Sequence, residues 1–383
     1  MRKLSDTVAR LQALRARHAA HAPDRGLPDR LSTWTGSDSD PGGLKAHFYL
    51  PKELPDGAPL VVVLHGCTQS AAGYDHRSGW SQLADRAGFA LLYPEQQRAN
   101  NPNLCFNWFL PANTTRGSGE VRSIRRMIEE MVSAHGLDRG RIFVTGLSAG
   151  GAMAAAMLAT YPEVFAGGAI IAGIPYGSAT TVPEAFDRMR GHGGPPGPEL
   201  QALVRRASVH SGPWPRISIW HGSADGTVAP SNAEAIATQW RGVHELDGAP
   251  ERSQVGRHSR QVWTDGAGEP VIEINLVGGM GHGTPLGGDG LGAPGPYMLD
   301  VGISSTQEIA RFWGIAETET GASERLPRDA GHPPYPAPAP HGDTADTPWS
   351  GPRAPGRSAR PDSGSPGVGK IIEDALRAAG LMR

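Results

Sequence analysis

Five consecutive apolar residues, Leu60-Val61-Val62-Val63-Leu64, stand between Pro59 and Gly66. A strand with one face in water alternates apolar and polar side chains. An unbroken β-branched run needs cover on both faces, as strands of a parallel sheet have. Further strand-like runs recur at Phe89–Tyr93 (stopped by Pro94), Arg141–Thr145, Ala169–Ala172, Ile217–Trp220 and Val271–Val277. Between them lie segments with helical spacing. Ser78–Ala87 ends at Gly88, Ala152–Tyr161 ends at Pro162, and Thr306–Trp313 comes last. Glu120–His135 repeats Val121, Ile124, Met127, Ile128 and Met131 before a stop at Gly136. This alternation predicts an α/β fold with a mostly parallel sheet and helices on both faces. Between Pro175 and Pro215 the rhythm breaks into Gly/Pro-rich sequence with one helical patch at Val182–Arg190, where a lid or pocket wall would sit.

The ends read differently. Residues 1–34 form an amphipathic helix, apolar at Leu4, Val8, Leu11 and Leu14, followed by a polar linker. Residues 35–315 hold the α/β domain. From 316 to 369 the chain is rich in Pro, Gly, Ala, Ser and Arg with few large apolar residues, so a disordered tail is expected. Residues 370–383 regain helical spacing through Ile371, Ile372, Ala375, Leu376 and Ala379. A net charge of -2 over 383 residues gives no reason to expect a nucleic-acid partner. No stretch approaches the length of a transmembrane segment. Two cysteines, Cys67 and Cys105, are too few for a disulfide scaffold and too far apart for a zinc motif.

The chemistry centres on Gly146-Leu147-Ser148-Ala149-Gly150, a G-x-S-x-G sequence directly after one predicted strand and directly before a helix. A sharp strand-to-helix turn exposes the serine in a strained backbone, and glycines flank it because a Cβ would clash. A serine hydroxyl needs a base, and the base needs an acid to orient it. Trp220-His221-Gly222-Ser223-Ala224-Asp225 places Asp225 just past a strand end, where open α/β sheets keep their sites. Asp247 and Asp265 are rivals without a comparable strand before them, and Asp225 could otherwise cap the helix beginning near Pro230. Of the later histidines, only His282 follows a strong apolar strand, in the loop Gly278-Gly279-Met280-Gly281-His282-Gly283. Two backbone N–H groups must meet the developing oxyanion. Ala149 follows the nucleophile and supplies one. Cys67, in His65-Gly66-Cys67-Thr68-Gln69 after the first strand, supplies the other. Cys105-Phe106-Asn107-Trp108-Phe109 follows the next strand, so Trp108, with Gln69, is a candidate substrate contact. Because Cys67 and Cys105 follow neighbouring strands, a disulfide between them is geometrically open. No metal or cofactor is required, and the expected partner is an ester substrate.

These segments, together with Gly279-Met280-Gly281-His282-Gly283-Thr284-Pro285, Pro296-Tyr297-Met298-Leu299-Asp300 and Gly302-Ile303-Ser304-Ser305, resemble the polyhydroxybutyrate depolymerase family of esterases from about Leu44 to Gly314. The resemblance implies an α/β-hydrolase fold and an extracellular serine esterase acting through an acyl-enzyme on short-chain polyhydroxyalkanoates. In close relatives the substrates are feruloyl or acetylxylan esters. Its triad falls on Ser148, Asp225 and His282, and its oxyanion donors on Cys67 and Ala149. A silent polymer-binding protein is the rival from another class, although binding needs neither an intact triad nor an intact oxyanion loop. Secreted members carry a signal peptide, and Met1-Arg2-Lys3 is not followed by an apolar core. Polymer-degrading members append a binding domain, for which the helix after 370 is too short. Both departures point to soluble oligomers or small esters.

Overall fold

The computed structural model describes residues 29–35 and 40–316. The helix expected over 1–20, the tail after Ala316 and the helix expected over 370–383 lie outside the described residues.

The first strand shows why the architecture follows from the sequence. In β3 (Leu60–Leu64) all five side chains are buried. Leu60, Val62 and Leu64 join one hydrophobic core, while Val61 and Val63 join a second on the opposite face. The pleat therefore divides one apolar run between two helical layers. Parallel neighbours extend the sheet: β4 (Ala90–Glu95) on one side, then β5 (Ile142–Leu147), β6 (Gly167–Ile171), β7 (Arg216–Gly222) and β10 (Pro270–Val277) on the other. Antiparallel strands finish both edges. These are β1 (Ser32–Trp34) and β2 (Lys45–Tyr49) beyond β4, and β9 (His258–Thr264) and β8 (Glu251–Val255) beyond β10. The order is β1-β2-β4-β3-β5-β6-β7-β10-β9-β8. A small parallel pair, β11 (Thr284–Leu286) and β12 (Met298–Asp300), stands apart. The helix Ala149–Thr160 is buried along its whole length, in keeping with a sequence that is small or apolar all round. No described helix is long and apolar enough to cross a membrane.

Three expectations need correction. The helix expected over Ser78–Ala87 starts at Trp80 and runs to Ala87, and a separate helix, Ala71–Ser78, precedes it where none was expected. Gly79 separates the two with φ 78°, and a Cβ there would lie 2.5 Å from Gly292 N. Pro94 does not stop β4. β3 pairs with β4 only over Ala90–Leu92, and Pro94 lies opposite Ala46 of β2, past the parallel ladder. The segment between Pro175 and Pro215 holds a second helix, Gly197–Ala207, besides Val182–Met189.

Candidate active site

All the candidate residues arise at the carboxyl ends of the parallel strands. β5 runs into Ser148, whose φ of 57° and ψ of -116° form the turn from strand to helix. Ser148 N donates to Ile171 O of β6 at 2.9 Å, which fixes the turn against the sheet. The flanking glycines are required by contact. A Cβ on Gly146 would lie 2.4 Å from Gly150 C and O, and one on Gly150 would lie 2.3 Å from Leu64 O. The turn therefore presses directly on the end of β3, where the loop His65–Gln69 begins.

That loop leaves one N–H unspent. Gly66 N donates to Gln69 Oε1 at 2.8 Å, Thr68 N to Asn103 O at 2.7 Å, and Gln69 N to Gly66 O at 3.3 Å. Among the described residues, Cys67 N has no such acceptor. Ala149 N is the first amide of its helix, which has no intrahelical acceptor. His65 anchors the loop from behind. Its Nδ1 donates to Gly66 O at 2.8 Å, and its Nε2 accepts from Gln96 N at 3.1 Å. Burial holds its pKa below the usual value, so the ring is neutral, in keeping with one nitrogen donating and the other accepting. A disulfide joins Cys67 to Cys105, tying the loop after β3 to the loop that carries Trp108.

Asp225 lies in the turn after β7, its side chain fully buried. Oδ1 accepts from Thr227 N at 2.8 Å and Val228 N at 2.9 Å, and Oδ2 accepts from His282 Nδ1 at 2.7 Å. Burial would raise this carboxyl's pKa. The donors from His221, His282 and the Val228 amide outweigh it and hold the group well below the ordinary carboxylate range. The acid turn and the histidine loop are laced together over a long separation. Ser223 N donates to Val277 O at 3.0 Å, Ala224 N to Met280 O at 2.9 Å, and Gly279 N to Ser223 Oγ at 2.8 Å. A Cβ on Gly222 would sit 2.3 Å from Met280 O, so only glycine permits this approach.

Ser148, His282, Cys67, Ala149, Gln69 and Trp108 line one cavity of about 220 Å³. Phe109, Leu147, Ile174, Val182, Ala185, Phe186, Met189 and Val228 form its apolar walls, and Asn101, Asn103, Thr68, Thr227 and Tyr297 add polar groups. Gln69 reaches the cavity with its Oε1 already accepting from Gly66, so part of its role is to shape the loop. The segment between Pro175 and Pro215 supplies a wall through the helix Val182–Met189.

Sequence reasoning missed several groups. His221 is fully buried, with Nε2 2.9 Å from Val228 O and 3.4 Å from Asp225 Oδ2, and its Nδ1 has no hydrogen-bond partner. Its position four residues before the acid was the only available signal. Glu120 was assigned to a helix, yet it is fully buried. It accepts from Asn107 N at 2.9 Å, Asn107 Nδ2 at 2.6 Å and Gln96 Nε2 at 2.7 Å. It thus links the end of β4 to the loop bearing Trp108. Burial pushes its pKa up to about 7 against these donors.

A parallel sheet with a strained serine at one strand end, an Asp–His pair at two others and free amides beside the serine defines the serine-hydrolase class on an α/β-hydrolase fold. The family model described as esterase PHB depolymerase matches residues 44–261, and the chain belongs to that family of carboxylic ester hydrolases. It is 45% identical over 288 residues to the poly(3-hydroxyalkanoate) depolymerase C of Paucimonas lemoignei, covering 72% of this chain and 68% of that protein. It is 32% identical over 267 residues to acetylxylan esterase A of Aspergillus oryzae, covering 68% and 86%. Among solved structures it is similar to an acetyl xylan esterase from Aspergillus awamori, with a TM-score of 0.65 and 25% identity over 75% of this chain and 99% of that one.

Proposed function

We propose that Ser148 is the nucleophile, His282 its base and Asp225 the acid that orients the base, and that the esters cleaved are short-chain poly(3-hydroxyalkanoates), above all 3-hydroxybutyrate oligomers or polymer. The observation that carries the reading is the 2.7 Å bond from His282 Nδ1 to Asp225 Oδ2, in a ring that shares a cavity with Ser148. With Nδ1 engaged, Nε2 is the nitrogen left to take a proton. Ser148 Oγ attacks the ester carbonyl as Nε2 accepts its proton, and Asp225 stabilises the imidazolium. The N–H groups of Cys67 and Ala149 hold the oxyanion. His282 returns the proton to the departing alkoxide, and water releases the acyl group by the same route in reverse.

The hydrocarbon walls of Phe109, Ile174, Val182 and Met189 suit an aliphatic hydroxyacyl chain, and the 45% identity to a poly(3-hydroxyalkanoate) depolymerase against 32% to an acetylxylan esterase favours the polyester over an acetylated sugar. A disulfide at the cavity fits an oxidising, extracellular setting. Ser148→Ala should fold and lose ester hydrolysis by several orders of magnitude. Activity retained within about tenfold in that variant would reject Ser148 as nucleophile. Linear 3-hydroxybutyrate oligomers should be cleaved with higher kcat/KM than methyl ferulate or acetylated xylan, and the opposite ranking would move the substrate to plant cell-wall esters.

A further inference from the structure

A proton passed from His282 to the leaving alkoxide requires the alcohol portion of the ester to lie beside that ring. The aromatic side chain found there is Tyr297. The two rings meet edge to face with centroids 5.9 Å apart and planes at 78°, and both line the cavity. Two independent features set this tyrosine apart. At 37% it is the most exposed Phe, Tyr or Trp among the described residues. Its φ of 61° lies in the left-handed region, which a bulky L-residue adopts at a cost and glycine adopts freely.

The surroundings hold that conformation in place. Tyr297 O accepts from Thr284 N at 2.8 Å, and the next residue, Met298, pairs with Thr284 between β12 and β11. Stability alone would place a glycine or asparagine at this turn and would not expose an apolar ring. Strain and exposure that coincide beside a catalytic base mark a position kept for function.

We propose that Tyr297 is the platform for the alcohol portion of the substrate. Its ring packs against the methyl and methylene groups of the hydroxyacyl unit on the leaving side of the scissile bond, so it sets the preference for an oligoester over an ester of a small alcohol. The inference rests on the assignment of His282 as the base.

The test uses two substrates with the same acyl group. The linear 3-hydroxybutyrate dimer has a hydroxyacid as leaving group, and ethyl 3-hydroxybutyrate has ethanol. Both form the same acyl-enzyme, so the ratio of their kcat/KM values reports the leaving side alone. Tyr297→Gly should lower the dimer-to-ethyl ratio roughly three- to tenfold, the size of an aromatic contact. Its Tm should be no lower than that of the wild type, because the strain is relieved. Tyr297→Phe keeps the ring and should keep the ratio within about twofold. An unmoved ratio in Tyr297→Gly overturns the platform, as does an equal loss on both substrates with a fall of several degrees in Tm, which would make the ring a packing residue. Fluorophosphonate labelling separates the two readings. If the wild type labels at Ser148 and the ratio does not move, the platform alone fails; if the wild type does not label, the triad fails and takes the platform with it.

Discussion

Gly222→Ala would disturb the acid–base pair without touching either member. The added Cβ would lie 2.3 Å from Met280 O and 2.5 Å from Gly281 O, whereas real Cβ contacts stay above 3.0 Å. Both neighbours are backbone carbonyls, and Met280 O already accepts from Ala224 N at 2.9 Å, so no side chain can rotate out of the way. The histidine loop must therefore retreat by at least about 0.7 Å. His282 follows Gly281 directly. A retreat of that size stretches its 2.7 Å bond to Asp225 to about 3.4 Å, near the limit of a hydrogen bond. Misplacement on this scale costs roughly 10²-fold in rate, well short of the loss when the acid itself is disabled, and the overpacking costs about 1–3 kcal/mol of stability. The assay is kcat/KM on p-nitrophenyl butyrate beside a thermal melt. Gly226→Ala is the control, because its Cβ meets nothing within 4 Å, and it should stay within about twofold of wild type. A wild-type rate and an unchanged Tm in Gly222→Ala would refute the close approach and the positioning argument built on it.

Asp225→Asn should keep the fold and lower turnover by roughly 10⁴-fold near neutral pH, because the imidazole loses its correct tautomer; a near-normal rate with collapse in Asp247→Asn or Asp265→Asn would move the acid elsewhere. Removing the disulfide with Cys67→Ser and Cys105→Ser together opens a 38-residue separation. It should cost about 3–4 kcal/mol in chemical denaturation, and kcat should fall as the oxyanion amide loses its tie; equal stability and equal kcat would make the bridge incidental. Glu120 gives a pH test. Its carboxyl titrates at about 7 in the fold against an ordinary 4.5, so the folded protein binds the extra proton between those values. Its contribution to stability is complete below about 4.5 and is lost as pH rises through 7, by about 3 kcal/mol. Glu120→Gln should flatten that fall between pH 5 and pH 8, and parallel pH curves for variant and wild type would contradict it.

What was legible in the sequence is what local chemistry encodes. The run Leu60–Leu64 needed cover on both faces, and it received it. The turn at Ser148 announced itself through two glycines whose contacts lie within a few residues of that serine or at the end of a buried strand. The edges were illegible for a physical reason. β8 is exposed at all five positions, so Glu251–Val255 carries no alternation for a periodicity to reveal. β2 has one buried residue in five, and β1 has none. An edge strand in water is specified by its partner's ladder, which only the fold supplies. The helix Ala71–Ser78 escaped too, and the constraint that makes Gly79 a glycine comes from Gly292, more than two hundred residues away.

The same distinction separates the triad from its supports. Ser148, Asp225 and His282, the triad proposed here, were open to a search for the residue types that such chemistry demands at strand ends. His221, Gly222 and Glu120 were not, because nothing in the reaction names them. Each does its work across the fold: Gly222 on the loop ending at His282, Glu120 on the loop bearing Trp108, and His221 on the carboxylate four residues along and on Val228 in the cavity wall. The glycine-rich loop before His282 makes the point most clearly. In the structure the loop is held at three hydrogen bonds to the acid turn, and close approach requires glycine at Gly222 on the facing strand and again at Gly283, where a Cβ would lie 2.6 Å from Tyr297 O. Here glycine serves close approach and rigid placement, which is what a base that must meet both an acid and a serine requires.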